Sequence, residues 1–182
     1  MRIATIKYVD VANGPGCRTS VFVSGCRRGC PGCFNREAQD FGFGEPYTPE
    51  LRERVLASLE PPYVTGLTLL GGEPFEPENQ AGLLELAAAA RERVGGLSLW
   101  CYSGFTYEQL VAAGGPAHTE HTHALLSLID VLVDGPFVQE LHDVTLRFRG
   151  SSNQRVLDLP ASLRAGEPVA WRDEQVYASH AW

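Results

Sequence analysis

Cys26, Cys30 and Cys33 stand at spacing Cys-x3-Cys-x2-Cys in the run GCRRGCPGC, Gly25 to Cys33. Thiolates are the ligands of iron–sulfur clusters, which ordinarily take four of them. Three within eight residues can hold three irons of a cubane [4Fe–4S] cluster, leaving the fourth iron open to another ligand. Zinc is the competing reading, but a structural zinc site wants four ligands in a tetrahedron. No second Cys-x2-Cys or Cys/His pair stands at a suitable spacing. Gly25, Gly29 and Gly32 suit a backbone that folds tightly round a cluster and offers N–H groups to its sulfurs. Free surface thiols in such a loop would be an oxidation liability. The triplet is therefore read as a cluster site.

The elements that must position this loop alternate. Ile3–Val9 and Thr19–Val23 read as strands by β-branched content, the second leading directly into the cysteines. Thr48-Pro49-Glu50 starts a helix, with a capping Thr, Pro at the first helical position and an apolar face of Leu51, Val55, Leu56 and Leu59. Val64–Leu70, a helix over Glu78–Val94, Leu97–Tyr102, a helix over Thr106–Ala113, a helix ending near Leu125–Ile129, and Val131–Val133 follow. Val144–Phe148 reads as a further strand, and the chain after Leu159 is unassigned. Strands alternating with helices predict an α/β fold with a mostly parallel sheet. Ligands in such sheets collect beyond the carboxyl ends of the strands. Gly71-Gly72-Glu73-Pro74, Tyr102-Ser103-Gly104 and Asp134-Gly135 all fall there.

The 182 residues, 44% apolar and 20% charged, suffice for one domain with a core. A net charge of −7 argues against nucleic acid as a partner. No apolar run approaches a membrane span, and the N-terminus lacks a signal-peptide core, so a cytoplasmic location is expected. Five cysteines without a secretion signal favour metal chemistry over disulfides. Cys17 and Cys101 read as small, partly or fully buried thiols.

Beyond the triplet, the blocks NGPGCR (Asn13–Arg18), FVSGC (Phe22–Cys26), CPGCFN (Cys30–Asn35), LLGGEP (Leu69–Pro74), LIDVLVDGPF (Leu128–Phe137) and RGSSNQR (Arg149–Arg155) resemble the anaerobic ribonucleotide reductase activating proteins. These are radical S-adenosylmethionine (SAM) enzymes that activate glycyl radical proteins. The resemblance spans roughly residues 5 to 157 and implies a partial, open (β/α) barrel over residues 1–159, with 160–182 as a C-terminal extension. It implies a [4Fe–4S] cluster on Cys26, Cys30 and Cys33, whose open iron is chelated by the methionyl amine and carboxylate of SAM. It places Gly32 and Phe34 beside that cofactor, and Gly71, Gly72 and Glu73 at its amine. The implied reaction is reductive cleavage of SAM, fed by a flavodoxin- or ferredoxin-type donor. The resulting 5′-deoxyadenosyl radical abstracts hydrogen from a glycine of the large anaerobic ribonucleoside-triphosphate reductase subunit. No general acid or base is required. A repurposed radical SAM enzyme acting on a peptide or small molecule is the alternative; an electron carrier should supply a fourth protein ligand, which is absent here.

Several residues keep two readings. Asp134 is either a cofactor or cation contact, as in related activases, or a turn-forming Asp before Gly135. Arg18 pairs with an acidic group near the site or lies on the surface. RGSSNQR binds a phosphate, a carboxylate or a partner loop, or is a solvated turn. His118, His121 and His123, in a segment that reads as an insertion, could share a metal but fit a solvated loop better. Trp100 is expected in the core and Tyr102 in a wall of the site.

Overall fold

The computed structural model describes residues 1–172. Its framework is one seven-stranded sheet in the order β3-β1-β2-β4-β5-β6-β7. The strands are β1 (Arg2–Asp10), β2 (Cys17–Val23), β3 (Glu45–Pro46), β4 (Val64–Gly71), β5 (Ser98–Tyr102), β6 (Val131–Asp134) and β7 (Arg155–Asp158). The central strands β2, β4, β5 and β6 run parallel. On one side β1 pairs antiparallel with β2 and β3 antiparallel with β1; on the other β7 pairs antiparallel with β6. The sheet does not close, and β3 and β7 are its edges.

Period-two alternation splits the sheet into two unlike faces. Val21, Val23, Leu67, Leu69, Leu99, Cys101 and Leu132 point into the main core, where they meet the helices. Helix α1 (Pro49–Ser58) starts where Thr48 caps the Leu51 amide at 3.2 Å and buries Leu51, Val55 and Leu56. Helix α2 (Pro77–Arg93) has Pro in its first turn and Arg91 and Arg93 in its last, where cations suit the helix dipole. Helix α3 (Tyr107–Val111) carries a capping box between Thr106 and Gln109. Helix α4 (Thr122–Leu128) adds Leu125 and Leu126 to the same core.

The opposite face carries Arg18, Ser20, Phe22, Thr68, Leu70, Trp100 and Tyr102, and no helix among the described residues covers it. Trp100, Val131 and Val133 are instead roofed by Phe148 and Trp171, whose rings lie 5.2 and 5.0 Å from that of Trp100. Arg18 is not on the surface, and among the described residues it makes no ion pair. It is fully buried, giving its N–H groups to Thr68 Oγ1 at 2.7 Å, Leu67 O at 2.9 Å and Ser98 O at 2.8 Å. Burial brings its guanidinium down to about 10.

Two sequence expectations change. Val144–Phe148 is a turn, not a strand: Asp143 accepts from the Thr145 amide at 2.8 Å, Leu146 N closes on Asp143 O at 3.3 Å, and Phe148 has φ +59°. The edge strand is β7, built from the end of the polar RGSSNQR run onward and paired to β6. Past it, helix α5 (Leu159–Ala165) is capped by Asp158, which accepts from Ala161 N at 2.8 Å. The chain then returns to β7, with Asp158 N on Val169 O at 3.0 Å and Trp171 N on Val156 O at 2.9 Å. The final part of the unassigned extension, 173–182, lies outside the described residues. No helix among the described residues is long and apolar enough to cross a membrane.

Candidate functional site

The cysteine loop leaves the carboxyl end of β2 and is pinned at its base. Gly25 N donates to Ala38 O at 2.8 Å and Cys26 N to Gln39 O at 3.1 Å. Gly25 sits at φ +96°, where a Cβ would lie 2.4 Å from the Phe41 ring, so only glycine fits. Cys26, Cys30 and Cys33 are free and half-buried. Burial pushes the Cys26 thiol up to about 11, helped by the charges of Glu73 and Glu76. A metal ion taken by this thiol would have to displace that proton, since a coordinating thiol is deprotonated by the metal's charge. Among the described residues no three His, Cys, Asp or Glu side chains converge on a single metal ion. Cys17 packs half-buried against the core and Cys101 is wholly buried, both away from the loop's cavity.

The three thiols open onto a cavity of about 490 Å³. Its far wall is the set of strand ends: Gly71, Gly72 and Glu73 after β4, Ser103 and Gly104 after β5, Gly135 after β6. Phe22, Leu70 and Tyr102 form the floor on the sheet's helix-free face, with Lys7, Phe148 and Arg149 at the sides. Tyr102 thus lines the site, with a buried hydroxyl that has no hydrogen-bond partner among the described residues.

The GGEP run proves to be a brace. Gly72 N donates to Val23 O at 2.7 Å and Glu73 N to Gly25 O at 2.9 Å, which ties β4 to the base of the cysteine loop. A Cβ on Gly72 would lie 2.5 Å from Gly25 O and 2.7 Å from Ala38 O. The glycine therefore admits the loop's own backbone. Glu73 is 1% exposed and accepts from Ser103 Oγ at 2.8 Å, Gly104 N at 2.7 Å and Phe75 N at 2.9 Å. Burial pushes its carboxyl up to about 7. Two partners that sequence reading passed over complete the brace. Glu76 accepts from Arg27 N at 2.7 Å, and Asn79 Nδ2 donates to Ser24 O at 3.0 Å and Glu73 O at 2.9 Å. Their signal was the three-residue spacing Glu73, Glu76, Asn79 at a helix start.

The remaining candidates divide. Phe34 lies at the cavity mouth, 71% exposed, with its ring 5.2 Å from Phe137 and 5.5 Å from His142. Gly32 does not line the cavity; a Cβ there would press on Gln139 Oε1 at 2.7 Å. Asp134 is fully buried and turned toward α3 and β7, accepting from Tyr107 N at 2.6 Å and Arg155 Nε at 2.9 Å. RGSSNQR is a turn whose tip, Ser152 and Asn153, is exposed while the residues on either side are held by the fold. Gln154 Nε2 holds Gly135 O at 3.1 Å, Asn153 Nδ2 holds Pro136 O at 2.8 Å, and Arg149, Gly150 and Gln154 line the cavity. The histidine segment folds through Thr119 and Thr122, whose hydroxyls donate to Gln80 Oε1 at 2.6 and 2.7 Å.

An α/β sheet presenting a cysteine triplet at its strand ends has the form of an iron–sulfur protein, and residues 12–157 match the family model described as a 4Fe-4S single cluster domain. A protein of Salmonella typhi is 39% identical over 158 residues, covering 86% of this chain and 97% of its own length. One of Escherichia coli K12 is 38% identical over 150 residues (81% and 92%), and one of Enterobacteria phage T4 is 32% identical over 147 (81% and 87%). All three are named anaerobic ribonucleoside-triphosphate reductase-activating protein, and the chain belongs to that family.

Proposed function

We propose that the chain cleaves SAM reductively at a [4Fe–4S] cluster and makes a glycyl radical on the large subunit of anaerobic ribonucleoside-triphosphate reductase. The observation that carries this reading is the single cavity shared by Cys26, Cys30 and Cys33 and by the ends of β4, β5 and β6. In this reading the open sheet is the partial (β/α) barrel of a radical SAM domain within residues 1–159. The residues present fit the two groups. Three thiols suit three irons, and the cavity holds buried polar atoms still lacking partners, Tyr102 Oη and Arg28 Nε.

Cys26, Cys30 and Cys33 would hold the cluster, and the backbone of the Gly71-Gly72-Glu73 turn the methionyl end of SAM, with Phe34 at the mouth. Bound there, the pair supplies the one-electron cleavage that yields a hydrogen-abstracting radical. The protein's work is positional. Glu73 locks the ends of β4 and β5 together, while Gly32, packed on Gln139, and Asp134, through Arg155 and Tyr107, shape the loops around the cavity rather than touch its contents. Phe22, Leu70 and Phe148 keep the cavity's floor and side apolar, which restricts water. An electron donor of flavodoxin or ferredoxin type and a cytoplasmic, reducing setting complete the proposal.

The test is anaerobic cluster reconstitution, addition of reductant and SAM, and assay of 5′-deoxyadenosine. The reductase is then added and its electron paramagnetic resonance spectrum recorded. A glycyl doublet is expected. A fully loaded protein that releases no 5′-deoxyadenosine refutes the reading, and cleavage with no reductase signal but a modified peptide or small molecule moves it to the repurposed alternative.

A further inference from the structure

Adjacent arginines inside the cysteine loop have opposite surroundings. Arg27 is exposed and fully engaged: its guanidinium pairs with Glu76 and Glu78 and lies 4.3 Å from the Phe41 ring centroid. Arg28, between Cys26 and Cys30, points into the cavity. Its Nε is buried with no hydrogen-bond partner, and among the described residues no carboxylate within ion-pair distance faces it. Glu73 is near, but its oxygens are taken by Ser103, Gly104 and Phe75. The side chain is also held in place. Its Cζ lies 4.8 Å from the Phe105 ring centroid, and a Cβ on Gly104 would lie 2.4 Å from its Cδ. One face of the guanidinium is thus covered by Phe105 and its Nε is packed against Gly104, where a Cβ would lie 2.5 Å from it, which leaves the terminal Nη groups, unbonded among the described residues, as the ones a ligand can reach. A buried donor on a charged group without a partner is costly, and a guanidinium edge is shaped for a carboxylate taken through two parallel N–H bonds.

We infer that Arg28 is the receptor for the carboxylate of SAM, binding it through its two terminal Nη groups. The inference rests on the function proposed above, which puts the amino-acid end of SAM beside the cysteine loop. Of the other cations lining the cavity, Lys7 lies over the Phe22 ring at 5.1 Å, and Arg149 Nη1 is engaged by Gln154 O at 2.7 Å. Neither stands in the loop that carries the cluster ligands. Pro136, at the turn after β6, shares a neighbouring recess with Arg28 and can offer no charge. Arg28 is a binding residue in this account. It transfers no proton and ligates no iron.

The experiment is equilibrium dialysis of the reconstituted, unreduced holoprotein, wild type and Arg28→Gln, against SAM and against decarboxylated SAM, with iron content measured on the same samples. Removing one charged, two-pronged partner should weaken SAM binding by about ten- to a hundredfold. Binding of decarboxylated SAM, already weaker for want of the carboxylate, should change by less than about twofold. Equal affinity of both proteins for SAM overturns the inference. So does an equal loss on both compounds, which would make Arg28 a structural or cluster-stabilising residue. Should Arg28→Gln take up less iron, Arg28→Lys carries the test. It keeps the charge but loses the fork, and should cost about three- to tenfold on SAM alone; no difference between the two compounds again overturns the inference. A loaded wild type that binds no SAM refutes the proposed function itself, a result distinct from either failure of Arg28.

Discussion

Replacing Glu73 by Gln tests how the end of β4 is joined to the end of β5. The wild-type carboxyl is buried, accepts three protein hydrogen bonds, and is pushed up to about 7 from a reference of 4.5 by desolvation. An acid whose folded pKa lies above its unfolded value binds its proton more tightly in the native state. The native state is therefore favoured below pH 4.5, loses stability as pH rises, and levels off above about 7. The full span is worth about 3 kcal/mol at 1.36 kcal/mol per pKa unit. About 1 kcal/mol of it falls between pH 6 and pH 8, a range clear of the sequence pI of about 5.2. Gln has the shape of the protonated acid and cannot ionise. Urea unfolding of the reduced, metal-free protein at pH 6, 7 and 8 should therefore show the stability of Glu73→Gln gaining on wild type by about 1 kcal/mol as pH rises. A difference that stays constant, or that moves the other way, would mean that the donors of Phe75, Ser103 and Gly104 outweigh burial and hold Glu73 ionised. The reasoning from desolvation would then be wrong.

Three further outcomes are expected. Cys26→Ala, Cys30→Ala and Cys33→Ala should each abolish 5′-deoxyadenosine release, whereas Cys17→Ser, away from the cavity, should keep its iron and most activity; loss of the cluster in Cys17→Ser would overturn the three-cysteine assignment. Gly72→Ala drives a Cβ to 2.5 Å from Gly25 O and should cost about 1–3 kcal/mol in denaturant unfolding, with reduced iron uptake because the loop base must shift. Trp171→Ala strips the ring that packs on Trp100 and Phe148; it should lower stability by about 1–3 kcal/mol while iron content stays at the wild-type level.

What was legible in the sequence was local. The iron–sulfur character of the chain, which its match to a 4Fe-4S domain over residues 12–157 shares, could be read from Cys26, Cys30 and Cys33 because three thiols on one loop need no distant partner to suggest their chemistry. The capped start at Thr48 could be read for the same reason, since a cap acts within one helical turn. The gathering of the GGEP, YSG and DG runs at one sheet end followed from strand–helix alternation alone.

What tertiary structure alone decided was which way side chains face and what meets them. Val144–Phe148 has the composition of a strand, yet β6 accepts only one neighbour on that side, and residues 155–158 take its hydrogen bonds. Arg18 reads as an ion-paired or surface charge because its acceptors, Leu67 O, Thr68 Oγ1 and Ser98 O, lie 49 to 80 residues away. Asp134 ends a strand at the cavity, but Arg155 and the α3 amide draw its carboxylate to the other side. Arg27 and Arg28 are identical in sequence terms; only the packed loop gives one its carboxylates and leaves the other facing the cavity without one. A charge's partner is set by distance in space, and that distance exists only once the sheet has formed.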